Sequence, residues 1–360
     1  MAFDITKLVR PHLLTLKPYA SARSEFSGEA QVWLDANENA YGTPGREISD
    51  AFHRYPDPYQ TLLKQRIGEI KGMRHPQIFL GNGSDEIIDL LIKAFCQPGL
   101  DQIVTLPPTF GMYEVAAAVN DVAVRAISLT EDYQIDREAV DEAVNEQSKL
   151  LFFCSPNNPT GNLLKPEDIR YFLNKFPGIV VVDEAYIDFT GQPGFLPELA
   201  DYPNLVVLQT FSKAWGMAAL RLGVAYASAD VVGVLNKIKL PYNVSTLTQQ
   251  TALAVLENTS QHEAMIQQIV EQREWLKGAL QQLTIVEKIH PTDANFILIR
   301  VPDASHLYEY LVQQGVVVRN RTSIRLCEGG LRITVGTEHE NQALVHVLKQ
   351  YENKEQLHIN

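Results

Sequence analysis

The chain has 360 residues, of which 45% are hydrophobic and 21% charged, a composition that excludes disordered and fibrous proteins. At this length one hydrophobic core rarely suffices, so we expect a large domain and a smaller one with a cleft between them. The formal net charge of -12 argues against a nucleic-acid partner, which requires a basic face.

The sequence also predicts that the protein has no membrane partner. No segment approaches the roughly 20 consecutive apolar residues of a membrane span, and the first residues lack the pattern of a secretory signal. The cysteines, Cys96, Cys154 and Cys327, are odd in number and widely spaced, which fits neither a disulfide framework nor a metal site. We therefore expect a cytoplasmic protein without a bound metal.

In chain order, residues 1–30 lack a clear hydrophobic period and are predicted to form an N-terminal arm, packed on a neighbour or across the cleft. Residues 31–244 are predicted to form the large domain, in which apolar strands alternate with helices from about residue 78. This alternation is typical of an α/β fold with a mostly parallel sheet covered on both faces. The predicted strands are 78–80, 102–106, 122–127, 150–154, 179–183, 205–210 and 223–227, and the clearest helices are 85–95, 110–119 and 166–176.

The pattern changes after Pro241. Helical spacing with almost no breakers predicts one long connecting helix over 245–284. Residues 285–360 are predicted to form a smaller α+β domain, with strands near 296–301, 316–319 and 331–335 and helices near 306–314 and 338–351.

Polar residues follow several predicted strands, where open α/β sheets gather ligand groups. The run Gly81-Asn-Gly83-Ser84-Asp85 leads from a strand into a helix start, which presents free N–H groups to an anion. The alternative interpretation is that Ser84 and Asp85 only cap the helix. Phe110 follows the next strand and is placed either flat on a cofactor ring or in the core.

Two further strands end in hydrogen-bonding side chains. Asn158 lies in an Asn-Pro-Thr-Gly turn, which is weak evidence alone because these residues form turns anyway. Asp183 ends the strand Val180-Val-Val, and Tyr186 follows three positions later. A carboxylate there would keep a pyridine nitrogen protonated, and Tyr186 and Asn158 would bind the ring's phenolic oxygen. The alternative is that strand-end acids cap a loop, above all Glu184.

The most informative residue is Lys213, in the run Thr210-Phe-Ser212-Lys213 at the end of a buried strand. Burial favours loss of the ammonium proton, and a neutral lysine amine forms imines with carbonyls. Ser212 and Arg221 would supply a hydroxyl and a bidentate fork for a phosphate. A surface lysine at a strand end is the alternative, and the accompanying motifs argue against it.

In the order and spacing of these motifs the chain resembles the pyridoxal-phosphate aminotransferases of fold type I over essentially its whole length. The resemblance implies that Lys213 forms the Schiff base with pyridoxal 5'-phosphate and then shuttles a proton between Cα and C4′. It also implies that Asp183 pairs with the pyridine nitrogen and that Phe110 stacks on the ring. Asn158 and Tyr186 would flank the ring oxygen. The implied phosphate ligands are Ser84, Asp85, Thr210, Ser212 and Arg221.

Within that family the chain is similar to the subgroup that acts on histidinol phosphate. The similarity rests on the motifs Leu34-Asp-Ala-Asn37-Glu-Asn, Arg54-Tyr55-Pro-Asp-Pro, Pro107-Pro-Thr-Phe-Gly-Met-Tyr113 and Leu331-Arg332-Ile-Thr-Val-Gly-Thr. It implies substrate contacts from Tyr19, Asn37, Arg319 and Arg332, and a homodimer in which Tyr55 reaches the cofactor phosphate of the partner subunit. Of the neighbouring Arg321 and Arg325, at least one is expected at the solvated surface.

The resemblance implies transamination between L-histidinol phosphate and 2-oxoglutarate, giving imidazole-acetol phosphate and glutamate, a step of histidine biosynthesis. One alternative is an aminotransferase for aromatic amino acids, in which Arg332 binds a carboxylate and Arg319 is incidental. Another is a threonine-phosphate decarboxylase, which also needs a phosphate pocket. A regulator with a fused DNA-binding module is disfavoured, because only 36 residues precede Asn37 and the chain is acidic.

Overall fold

A computed structural model describes residues 4–19, 32–47 and 51–359. Seven strands form a central sheet in the order β1-β7-β6-β5-β4-β2-β3. Strands β2 to β6 are parallel, whereas β7 runs antiparallel to both of its neighbours. All seven predicted strands are confirmed, with observed bounds β1 Ile78–Asn82, β2 Gln102–Thr105, β3 Ala123–Ala126, β4 Ser148–Cys154, β5 Ile179–Asp183, β6 Leu205–Thr210 and β7 Leu222–Ala227.

Strands β4 to β7 are buried on both faces, as their apolar runs predicted, whereas the edge strand β3 is exposed. Successive side chains of β5 point to opposite faces. Val180 and Val182 accordingly join one apolar cluster, and Ile179 and Val181 join the cluster on the other side. The valine-rich centre therefore forms two cores, one against each layer of helices.

Helices cover the sheet, and polar side chains fix where several begin. The side chain of Asp136 accepts a hydrogen bond from the Ala139 amide, and that of Ser228 accepts one from the Val231 amide, as N-caps do. Helices 85–95, 110–119 and 166–176 were predicted close to their observed bounds. The helices of this part are α1 Pro11–Leu14, α2 Thr61–Lys71, α3 Gly83–Phe95, α4 Met112–Val119, α5 Arg137–Ala143, α6 Pro166–Lys175 and α7 Ala229–Ile238.

The described part of the predicted N-terminal arm packs on this chain's own helices. Val9 and Leu13 are buried in the apolar cluster beside α3 and α7. The Arg10 amide donates to the Ala94 carbonyl, and the Lys237 ammonium donates to the Leu13 carbonyl at 2.8 Å. These contacts hold residues 9–13 against this chain's own helices, and packing of the arm on a neighbour or across the cleft stays a prediction. Residues 1–3 and 20–30 of that arm lie outside the described residues.

The predicted connecting helix over 245–284 is two helices, α8 Thr246–Leu256 and α9 Thr259–Leu280. The Asn258 amide donates to the Val255 carbonyl, and a new helix then begins at Thr259. The C-terminal end of α9 buries Leu276 and Leu280 against the second sheet.

The second sheet is antiparallel, in the order β10-β11-β9-β8. It packs against α9, α10 and α11 around a separate apolar cluster. The predicted strand 316–319 is corrected to residues 319–320, because the Val316 amide closes the end of α10 on the Leu311 carbonyl. The division at residue 285 stays a prediction. The elements are β8 Lys288–Ile289, β9 Phe296–Arg300, α10 Ala304–Gln313, β10 Arg319–Asn320, β11 Gly330–Thr334 and α11 Glu338–Ile359.

Strand direction decides where the functional side chains meet. The carboxyl ends of β4, β5 and β6 share one edge of the large sheet, and the antiparallel β7 begins at that edge, with Gly223 opposite Thr210. Strand β1 also ends there, since Asn82 pairs with Leu222. No helix within the described ranges has the length and apolarity needed to cross a bilayer.

Candidate active site

A cleft of about 660 Å³ opens at this edge of the large sheet and is closed on its far side by β10, β11 and the turn between them. All the predicted site residues line it except Tyr19, Asn37 and Tyr55. The predicted residues that line the cleft are Ser84, Asp85, Phe110, Asn158, Asp183, Tyr186, Thr210, Ser212, Lys213, Arg221, Arg319 and Arg332.

One end of the cleft is built to hold an anion. Helix α3 starts at Gly83, so the amides of Ser84 and Asp85 belong to its first turn, where N–H groups have no partner within the helix. The Arg221 guanidinium lies beside them, 3.4 Å from the Asp85 carboxylate and 3.5 Å from the Ser212 hydroxyl. These donors converge as a phosphate-binding site requires.

Two glycines allow this close packing. A Cβ on Gly83 would lie 2.6 Å from an Arg221 nitrogen, and Gly83 has φ of +76°, in the left-handed region. A Cβ on Gly223 would lie 2.3 Å from the Ser84 amide nitrogen. The turn before α3 and the start of β7 therefore approach each other only because neither residue has a side chain.

Asp183 lies at the deep side of the cleft and is 3% exposed. One carboxylate oxygen accepts a hydrogen bond from the Tyr113 hydroxyl at 2.7 Å, and the other accepts one from the Ala185 amide at 3.1 Å. Burial raises the pKa of Asp183 to about 6, although both hydrogen bonds act to lower it. A cationic ring nitrogen is the kind of partner that such a buried carboxylate lacks.

Tyr113 is a residue that the sequence motif contained but to which no role was given. It is fully buried, stacks on Phe152 with ring centroids 4.6 Å apart, and meets Phe110 edge to face at 5.6 Å. It therefore contacts both Asp183 and Phe110. The tyrosine's position in an apolar helix made it look like an ordinary core residue.

Lys213 projects into the cleft from the turn after β6, with its amine 5.8 Å from the centre of the Tyr186 ring. Its pKa is lowered, first by partial burial and then by the positive charges of Arg332 and Arg221, with Asp183 acting in the opposite direction. The cleft thus favours the neutral amine, which is the nucleophilic form.

Asn158 links the two sides of the cleft. Its amide nitrogen lies 3.4 Å from the Tyr186 hydroxyl as a donor, and its oxygen accepts a hydrogen bond from Arg332. Tyr186 packs edge to face on Phe296, with ring centroids 5.1 Å apart. The central guanidinium carbon of Arg332 lies over the same Phe296 ring, 5.2 Å from its centroid. The strand-end turn and β11 are thereby joined through side chains.

Glu184 caps a loop, which was the alternative role for acids at strand ends. Glu184 is buried and accepts hydrogen bonds from the Phe195 amide and from the Gln209 side chain at 3.0 Å. Gly194 passes so close that a Cβ there would lie 2.3 Å from the Glu184 carboxylate. Glu184 therefore fixes a loop and does not line the cleft.

Three predicted residues are not in this cleft. Tyr19 is 76% exposed, and Asn37 and Tyr55 line a second pocket. The Glu38 carboxylate holds that pocket together, because it accepts hydrogen bonds from Arg54 and from the Tyr55 amide at 2.7 Å. Within a single chain the structure does not bring these residues to Lys213.

In the comparison with known protein families, residues 24–348 match the model described as aminotransferase class I and II. A curated relative, a histidinol-phosphate aminotransferase of Cytophaga hutchinsonii, is 52% identical over 98% of this chain and 100% of its own length. Another of the same name, from Parabacteroides distasonis, is 51% identical over 96% of this chain and 98% of its own.

Among solved structures, the histidinol-phosphate aminotransferase of Clostridium acetobutylicum matches with a TM-score of 0.79 and 25% identity, covering 85% of this chain and 92% of that one. It has the fold type I architecture described above. With a family match over most of the chain and relatives that are half identical, the chain belongs to the class I and II aminotransferases.

Proposed function

We propose that the enzyme transfers an amino group between L-histidinol phosphate and 2-oxoglutarate, giving imidazole-acetol phosphate and glutamate, as in histidine biosynthesis. The proposal rests on one observation: Lys213 and Asp183 line the same cleft as the paired arginines Arg319 and Arg332. The relatives that match almost the whole chain at about half identity carry the histidinol-phosphate name, which supports this substrate.

The residues of the cleft fit pyridoxal 5'-phosphate as the cofactor. The first turn of α3, Ser212 and Arg221 supply donors for its phosphate, with a glycine where a Cβ would displace the Arg221 guanidinium. The buried Asp183 supplies a negative charge for a protonated ring nitrogen. When bound, this cofactor supplies an electron-accepting ring that stabilises negative charge at the substrate Cα.

The chain's own residues then have distinct tasks. Asp183 holds the proton on the ring nitrogen, and Phe110 offers an aromatic face at the cleft wall. Asn158 and Tyr186, which are hydrogen-bonded to each other, would donate to the ring oxygen. Lys213 would hold the cofactor through its amine, and its neutral amine is placed to act as the general base toward the substrate Cα.

The covalent role of Lys213 has a direct test. Borohydride reduction of the loaded protein should fix the cofactor mass on the peptide that contains Lys213 in the wild type and leave K213A unmodified. K175A, at a surface lysine that pairs with Asp141, is the matched control and should be labelled like the wild type. Labelling that persists in K213A would overturn the assignment.

The substrate's anionic end is assigned to the arginines of the second sheet. Arg319 and Arg332 lie directly opposite each other on β10 and β11, and both line the cleft. A phosphomonoester carries nearly two negative charges and several acceptor oxygens, so two guanidiniums suit it better than one. An aromatic amino acid would leave one of these cations without a partner, and this disfavours the aromatic alternative.

We further propose that the enzyme is a homodimer in which Asn37 and Tyr55 complete the cleft of the other subunit. Tyr55 stacks on Tyr242 with ring centroids 4.5 Å apart, yet it remains 52% exposed. Large apolar side chains are also exposed in the same parts of the chain, as an interface would explain. They include Val32, Leu34, Tyr41, Tyr59, Leu62, Leu240 and Leu247.

A cytoplasmic location is proposed as well, supported by three cysteines that are buried and unpaired.

The substrate proposal is tested by supplying the loaded enzyme with 2-oxoglutarate and one amino donor at a time, and measuring the glutamate formed. We expect kcat/KM for L-histidinol phosphate to exceed that for L-phenylalanine by about 100-fold or more, since the phosphate adds charge-assisted hydrogen bonds. A higher value for phenylalanine would establish the aromatic alternative. Carbon dioxide released from O-phospho-L-threonine without any keto acid would establish the decarboxylase.

A further inference from the structure

The cleft contains a third arginine of the second sheet, Arg321. Arg319 and Arg321 are two positions apart, so strand alternation places their side chains on the same side. Arg319 lies opposite Arg332 in the sheet, and the Arg321 amide continues the pairing by donating to the Gly330 carbonyl at 2.8 Å. Arg325 is exposed and does not line the cleft, so it is the solvated member of the pair.

The backbone around Arg321 is fixed by a tight turn. The Ile324 amide donates to the Arg321 carbonyl at 2.9 Å, and the Cys327 amide donates to the Ile324 carbonyl at 2.9 Å. Farther along the turn, the Tyr133 hydroxyl donates to the Leu326 carbonyl at 2.7 Å. The guanidinium is thus carried by an anchored segment, so binding a ligand requires little ordering of the backbone.

The three guanidiniums lack a neutralising carboxylate in the part of the chain that the structure describes. Among the residues that the structure describes, none of Arg319, Arg321 and Arg332 forms an ion pair with an aspartate or glutamate. The Nε of Arg321 is buried without a hydrogen-bond partner. The pKa of Arg321 is lowered, first by burial and then by the charges of Arg332 and Arg319. Arg319 is exposed, whereas Arg321 and Arg332 are partly buried. Like charges that line one cleft, two of them partly desolvated, favour an anionic ligand.

We propose that Arg321 binds the substrate phosphate together with Arg319 and Arg332, and thereby selects a phosphate over a carboxylate at this end of the cleft. The inference rests on the proposed function. A phosphate dianion has three terminal oxygens and nearly two charges, enough to engage three guanidiniums. A carboxylate has two oxygens and one charge, and one bidentate arginine satisfies it. A carboxylate bound here would therefore leave two of the three arginines without an anionic partner.

The test compares the wild type with R321Q, using L-histidinol phosphate and the same amino alcohol without its phosphate, L-histidinol. We expect R321Q to lower kcat/KM for histidinol phosphate by about 10- to 100-fold, mainly through KM, because a charge-assisted hydrogen bond is lost. For histidinol the change should stay within about twofold, since no phosphate is present to lose that bond. R325Q is the matched control and should resemble the wild type with both substrates.

Two results would overturn the role of Arg321. An equal loss for both substrates would make Arg321 a structural residue, and a thermal melt of R321Q would show the accompanying loss of stability. An unchanged kcat/KM for histidinol phosphate would show that Arg321 does not reach the phosphate. Failure of the proposed function is a separate outcome, because the wild type itself would then show no preference for histidinol phosphate over histidinol.

Discussion

The hydroxyl of Tyr113 donates a hydrogen bond of 2.7 Å to the carboxylate of Asp183, and both side chains are buried. Tyr113 belongs to α4, whereas Asp183 ends β5, so the bond ties a helix on one face of the sheet to the strand end that carries the acid. The same tyrosine meets Phe110 edge to face. One side chain thus positions both the acid and the aromatic face of the cleft.

Replacing Tyr113 with phenylalanine should weaken cofactor binding by about 10-fold or more, because a hydrogen bond to a buried charged group contributes roughly 1.5–3 kcal/mol. The hydroxyl acts to lower the pKa of Asp183, so its removal raises that pKa further in the empty protein. The dissociation constant of pyridoxal phosphate, measured by fluorescence titration from pH 6 to 8.5, checks both effects. The loss of affinity should be greatest at the acidic end, where more of Asp183 is protonated.

The matched control for Y113F is Y171F. The Tyr171 hydroxyl also donates to a carboxylate, that of Asp141, but at a half-buried site outside the cleft. Cofactor affinity in Y171F should equal that of the wild type. If Y113F kept wild-type affinity at every pH, Tyr113 would be an ordinary core residue.

Gly83 permits the contact between α3 and Arg221, and G83A tests this. The added Cβ would lie 2.6 Å from a guanidinium nitrogen, and φ of +76° adds roughly 1–2 kcal/mol of backbone strain. Because an arginine side chain is flexible, Arg221 should move aside at little further cost to stability. We expect the main effect to be weaker cofactor binding, by about 10-fold or more, through the displaced phosphate ligand.

The control for G83A is G233A. Gly233 lies within α7 and its φ is not positive. A Cβ added there would have no neighbouring atom within 4 Å. Alanine there should leave cofactor affinity unchanged and stabilise the helix slightly. Equal cofactor affinity in G83A and the wild type would show that Arg221 does not need its present position.

Much of this site was predictable from the sequence because β5 and β6 are compact apolar runs with polar residues at their ends. Asp183, Thr210 and Lys213 were placed correctly at one edge for that reason. Tyr113 was missed because a tyrosine in a helix rich in alanine and valine looks like core packing. The role of Arg321 was left open, although its two-residue spacing from Arg319 would have placed both on one side of a strand.

Other features depend on contacts that local patterns do not encode. The break between α8 and α9 falls at Glu257 and Asn258, within residues that otherwise favour a helix. Asn258 and Thr259 did indicate this break in the sequence, because asparagine and threonine often precede the first turn of a helix. The short strand β10 exists because Arg319 and Asn320 pair with β11, which is a tertiary contact.

Glu184 should make the stability of the cofactor-free protein depend on pH. Burial raises its pKa from 4.5 to about 7, so the folded state binds more protons than the unfolded state between these values. The contribution to stability is therefore complete below about pH 4.5 and is lost as pH rises through 7. Its size is on the order of 3 kcal/mol.

The variant E184Q removes this titration while leaving an amide that can still hydrogen bond. Its melting temperature relative to the wild type should rise by a few degrees between pH 5 and pH 8. E309Q, at an exposed carboxylate on α10, is the control and should keep a constant difference. A constant difference for E184Q as well would mean that Glu184 is already ionised at pH 5.

The proposed dimer makes the strongest prediction, because Lys213 and Tyr55 would then serve one cleft from different subunits. K213A and Y55A should each have little activity alone. After unfolding and refolding together in equal amounts, half of the dimers should be hybrids, and each hybrid has one cleft with both residues intact. About a quarter of wild-type activity should therefore return. Refolding each variant separately before mixing, without subunit exchange, is the control and should restore none. If both residues served the same subunit's cleft, co-refolding would restore no activity either, and Tyr55 would have to reach Lys213 within one chain.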